Sequence, residues 1–155
     1  MNVLRNIWTI ELIWWISAAL LAALILFPIH FYKIEFEFYK VNFFYILGLI
    51  LFVRWIFLWK YTPYAWWIPF KLVVLFLMIP VVFWGITSFY GFKGYLDEVG
   101  IQEFVSHLNE ADQSSLSVYI RTEMIFFASA FIFSGCCIPL KMIASIWKQY
   151  NRNTV

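Results

Sequence analysis

Along the chain, apolar residues run almost unbroken through four stretches, 7–29, 43–59, 68–90 and 120–140, and polar residues gather in the connections. Each stretch is close to the roughly 20 residues that a helix needs to cross a bilayer core. Hydrocarbon offers backbone N–H and C=O groups no partner, so an apolar run of this length predicts a transmembrane helix. The expected fold is an all-α integral membrane protein. A single domain, 1–155, would hold four transmembrane helices in an antiparallel bundle, with outer loops 30–42 and 91–119.

The connections differ in kind. The short, proline-containing turn 60–68 makes the second and third helices antiparallel neighbours. Pro69 suits the first turn of a helix, where its missing N–H costs nothing. Pro80 falls mid-helix and predicts a kink, and Pro139 predicts a bend near the end of the fourth helix. Residues 33–42 of the first outer loop alternate polar and apolar positions, the period of a strand. A lone strand is not stable. The segment is expected to lie extended on the membrane surface with its aromatics down, or to pair with another strand. In the second outer loop Ile101, Phe104, Val105 and Leu108 recur at helical spacing, with Gln102, Glu103, Ser106 and Asn109 opposite. This predicts a short amphipathic helix. Its polar face lacks the Lys and Arg of a lipid-binding helix, so its apolar face should cap the bundle or dock on another protein.

Charge sets the orientation. Arg5, Lys60, Lys71, Lys141, Lys148 and Arg152 fall on the side of the termini, against Lys33, Lys40, Lys93 and Arg121 on the other. The positive-inside rule then places both termini in the cytoplasm. Glu35, Glu37, Asp97, Glu98, Glu103, Glu110 and Asp112 all fall on the outer side. Trp8, Trp55, Trp59, Trp66, Trp67 and Trp147 cluster near the inner boundary, where an apolar ring with a polar N–H is favoured. The expected location is a bacterial inner (plasma) membrane. The first stretch is not read as a signal peptide: it is too long, carries Glu11 near its start and lacks a small-x-small cleavage site.

Composition agrees with lipid as solvent. Hydrophobic residues are 64% and charged residues 13% of the chain, against ordinary values of about 45–50% and 25%. A net charge of +2 argues against nucleic-acid binding. Cys136 and Cys137 are neighbours on one helix, point about 100° apart, and read as packing residues.

The first and fourth helices begin alike: Glu11, apolar, Ile, two aromatics, a variable position, Ser17, Ala18; then Glu123, Met, Ile, Phe, Phe, Ala, Ser129, Ala130. Ala22 and Ala23 stand in step with Ser134 and Gly135. The helices would run in opposite directions, but the second and third carry no matching copy, so an inverted repeat of the transporter kind is not established. Small residues four apart let backbones approach closely. The Ala18–Ala22 and Ala130–Ser134 faces are therefore expected to touch each other or to dock a partner helix.

Few charges lie within the predicted helices. Arg54 sits about five residues inside the second. It either snorkels to the headgroups or pairs with Glu11 at similar depth. Glu11 and Glu123 are both placed in a first turn, where the helix dipole favours a carboxylate. No catalytic residues, metal site or cofactor are assigned. His30 and His107 have no partner at ligand spacing. His107, Asp112 and Ser114 lack the nucleophile elbow of a hydrolase. No Gly-rich phosphate loop occurs. The leading expectation is an accessory or structural subunit of a membrane complex, meeting lipid and either another integral membrane protein or its own copy. The alternatives are a small transporter or lipid- or quinone-binding protein using Arg54 and Glu11, and an outer-face enzyme.

Overall fold

The computed structural model describes residues 2–151, with side chains from Trp8 onward. Arg5 and Arg152 of the charge count, and the tail beyond residue 151, lie outside the described side chains. The elements are α1 (Asn2–Phe31), α2 (Tyr39–Leu58) with a closing 3-10 turn (Trp59–Tyr61), α3 (Ile68–Glu98), α4 (Gln102–Val105) and α5 (Glu110–Asn151). Four of them, α1, α2, α3 and α5, are long and apolar enough to cross a membrane. No strand occurs among the described residues.

All four spanning helices overrun the apolar stretches that announced them, α3 and α5 the most. α3 continues to Glu98 and α5 starts at Glu110, so most of 91–119 is helix rather than loop. Hydropathy marks where side chains suit lipid; caps mark where a helix stops. α3 stops at Gly100, whose φ of 87° is available to glycine, while Tyr95 O accepts from the N–H groups of Val99 and Gly100. α5 starts at Asn109, whose Oδ1 accepts from the Asp112 N–H at 2.9 Å. Glu110 and Asp112 then face the positive end of the dipole.

The alternating segment is not a strand. Ile34 and Phe36 are buried while Glu35 and Glu37 are exposed, so the period of two describes a bend that turns its apolar side chains inward beside α4. Phe36 meets Phe92 and Phe104 edge-on, with centroids 6.2 and 5.2 Å apart, and Tyr95 stacks on Phe104 at 4.8 Å. Its aromatics therefore lie inside the protein rather than down on a membrane surface. α4 is a single turn. Phe104 and Val105 are buried, and Ile101 and Leu108 pack against the core beside them.

α5 packs against both α2 and α3, and α1 packs chiefly against α2. The crossing of the three inner helices is keyed by Phe131. Its ring stacks on Phe52 at 5.0 Å and lies between Gly48 of α2 and Gly85 of α3, where side chains would leave no room. Gly135, one turn on, takes Val82 in the same way. Pro28, Pro80 and Pro139 all lie inside continuous helices.

Candidate functional site

α2 carries three buried polar side chains, and each engages a different helix. Arg54 donates through Nη1 and Nη2 to the two carboxylate oxygens of Glu11 on α1, at 2.7 and 2.6 Å. Tyr45 donates to the Gly85 carbonyl of α3 at 2.6 Å. Asn42 donates through Nδ2 to Glu123 of α5 at 2.5 Å. In hydrocarbon an unpartnered polar group costs several kcal/mol, so these contacts fix which helix meets which, and at what register.

The Arg54–Glu11 pair is nearly enclosed, with side-chain exposures of 2% and 4%. The guanidinium also lies over the Trp14 ring, 5.3 Å from its centroid. Glu11 and Trp14 are one turn apart on α1, so one face of that helix supplies both a carboxylate and a π face. Arg54 thus turns toward α1 rather than extending to the headgroups. Beside the pair, Tyr64 stacks on Phe70 and meets Trp8 edge-on. Burial, and then the Glu11 carboxylate, push the Tyr64 phenol above its ordinary value, with Arg54 pulling the other way. Any ligand at this pair would have to replace a bidentate, charge-assisted contact.

Neither glutamate sits in a first turn. α1 begins at Asn2 and α5 at Glu110, so Glu11 and Glu123 both lie beyond the reach of the terminal dipole. Each instead answers a polar side chain of α2. The partners of Glu123 and Tyr45 escaped the sequence reading, as did Lys71, buried at 1% exposure, whose Nζ donates to Gln149 Oε1 at 2.7 Å. Asn42, an amide in the first turn of a largely apolar helix, was the signal available for the first of these.

The small-residue faces divide. Ala18 and Ala22 are fully buried on α1, the helix that packs on α2, while Ser17 is half-buried and Ala23 exposed. On α5, Ser134 and Gly135 are buried, Ala130 is half-buried and Ser129 is exposed. Contact between α1 and α5 includes a hydrogen bond from Tyr119 to the Ile25 carbonyl at 2.6 Å. Thr122, Ile125, Phe126, Ser129, Ala130 and Phe133 line an open groove of about 640 Å³ along α5, with Arg121 at the end nearer the start of the helix. His107 contacts the Tyr32 carbonyl at 3.2 Å, and His30 is exposed. No group of three metal-capable side chains converges among the described residues.

Four lipid-length helices, joined by polar contacts that only a dry interior makes decisive, define a multi-pass membrane protein. The chain matches no protein-family model, no curated protein and no solved structure.

Proposed function

We propose that this chain is an accessory subunit of a membrane protein complex. In this reading it is an antiparallel bundle in a bacterial inner membrane, both termini are cytoplasmic, and the acidic cap of α4 and residues 34–38 faces outward. The observation that carries it is the α5 groove. Thr122, Ser129 and Ala130 form a small, weakly polar strip between Phe126 and Phe133, on a surface otherwise left to lipid. Small residues admit a second helix at close range, and hydroxyls gain when that helix brings an acceptor. The charged pair supports the same reading, because its hydrogen bonds are engaged in joining α1 to α2. The occupant is a transmembrane helix of another integral membrane protein, with exposed Glu35, Glu37 and Glu103 available for polar contacts above it.

The test is purification of the tagged chain from native membranes in mild detergent, alongside the Ser129→Leu variant. One stoichiometric membrane partner, lost in the variant while the chain's own yield holds, supports the proposal. A chain that purifies alone, or a partner retained by the variant, refutes it. Cross-linking between two copies through Ser129→Cys would reassign the groove to a homodimer.

A further inference from the structure

The end of the molecule formed by the close of α2, the start of α3 and the close of α5 gathers lysines around one cleft. A cleft of about 290 Å³ is lined there by Trp59, Lys60, Lys141, Ser145, Lys148 and Gln149, among others. The lysines come from two separate elements, the 3-10 turn and α5. Among the described residues the one salt bridge is Arg54–Glu11, and none of the three lysines has a carboxylate partner. Glu11 is the only described carboxylate side chain at this end, and both its oxygens are already engaged by Arg54.

Two buried groups make this more than a scatter of surface lysines. Trp59 is 4% exposed, lines the cleft, and its indole N–H has no acceptor. That N–H is itself closed off from solvent, so the indole stands as a rigid wall of the cleft. Behind the wall, Lys71 holds Gln149 Oε1 at 2.7 Å while Gln149 Nε2 donates to the Trp66 carbonyl at 3.1 Å. The Gln149 side chain is therefore fixed, and the buried Lys71 ammonium adds positive potential from inside. Lys60 lies over the Tyr61 ring at 4.7 Å, which restrains it at the rim.

We infer that this cleft is a binding site for a phosphate group, carried by an anionic phospholipid of the adjoining leaflet or by a soluble phosphate compound. Lysines serve as point charges toward phosphate oxygens, and basic recesses between transmembrane helices suit anionic headgroups. The inference does not rest on the accessory reading, since the cleft and the α5 groove share no lining residue.

The experiment is native mass spectrometry of the full-length chain in mild detergent, titrated with phosphatidylglycerol, phosphatidylcholine or inorganic phosphate. Phosphatidylglycerol should bind in preference to phosphatidylcholine. The Lys141→Gln/Lys148→Gln variant should weaken that binding about thirtyfold, roughly fivefold for each basic side chain. Lys33→Gln/Lys40→Gln at the opposite end should leave it unchanged. Binding by phosphatidylglycerol but not inorganic phosphate assigns the site to a lipid headgroup. Inorganic phosphate binding with the same lysine dependence assigns it to a soluble compound. Should the double variant lose helicity by circular dichroism, the exposed Lys60→Gln carries the test, with about a fivefold loss expected. Equal binding of the two lipids, or full binding by a folded lysine variant, overturns the inference.

Discussion

Replacing Gly48 with alanine would put a methyl group inside van der Waals contact of Phe131 Cε2 and 2.7 Å from its Cδ2. On its opposite edge the ring already lies against Gly85, so close that even a Cβ there would sit 2.9 Å from Cε1. Tyr45 at 5.2 Å and Phe52 at 5.0 Å close two more directions. Overpacking a filled core costs about 1–3 kcal/mol, and this enclosure places Gly48→Ala near the top of that range. Alanine regains about 1 kcal/mol of helix propensity over glycine. The net expectation is a loss of about 2 kcal/mol. The measurement is reversible unfolding in mixed micelles with increasing SDS, followed by circular dichroism and by tryptophan fluorescence, since Trp84 abuts Phe131. Phe131→Leu should lose packing by itself, but combined with Gly48→Ala it should cost less than the sum of the two. A coupling of about 1 kcal/mol or more is expected for residues in contact. A stable Gly48→Ala variant, or strict additivity in the double variant, would refute the wedge.

Further outcomes follow from the polar contacts of α2. Arg54→Ala strands the buried Glu11 carboxylate and should destabilise the chain by about 3–5 kcal/mol, whereas Arg54→Ala/Glu11→Ala should recover part of the loss in the same unfolding assay. Glu123→Gln keeps an acceptor for Asn42 Nδ2 and should be nearly neutral, while Glu123→Leu leaves that donor unpaired at a cost of about 1–3 kcal/mol, offset in Glu123→Leu/Asn42→Leu. Phe36→Ala should loosen the outer cap, raising amide exchange across residues 101–109 while leaving the α2–α5 contacts protected; uniform protection would mean that α4 holds without it.

What the sequence made legible is what lipid reads. Four apolar stretches fixed the number of spanning helices because the bilayer imposes a length on them. Their polar ends were hidden for the complementary reason: residues 91–98 and 110–119 are helical through caps at Gly100 and Asn109, which hydropathy does not register. The proximity of Glu11 and Arg54 could be foreseen, because two opposite charges at matched depth have few alternatives. Asn42–Glu123 and Lys71–Gln149 could not, since their partners lie 81 and 78 residues apart and no spacing rule links them. Small residues were found but half misread. Ala18, Ala22 and Gly135 are buried, with Gly135 against Val82, yet two other close approaches, at Gly48 and Gly85, have no small-x-x-x-small pattern to announce them.

Burial in this molecule means something different from burial in water. Lipid tails are as apolar as leucine, so covering Leu26 or Ile46 does little to choose one helix partner over another. Discrimination falls to contacts that lipid cannot imitate: the guanidinium on a carboxylate, the phenol on a carbonyl, the amide on Glu123, and a ring fitted between two glycines. The three polar contacts from α2 reach α1, α3 and α5 in turn, while α5 packs along both α2 and α3, so α2 supplies the polar register and α5 the packing. The same criterion separates finished surfaces from unfinished ones. Exposed Phe57, Phe76 and Phe83 are satisfied by acyl chains alone. The Ser129 strip on α5 and the three lysines of the cleft are not, because what they lack is a close-packed helix or an acceptor. Those two places are where the proposed partner helix and the proposed phosphate supply what neither the chain nor hydrocarbon provides.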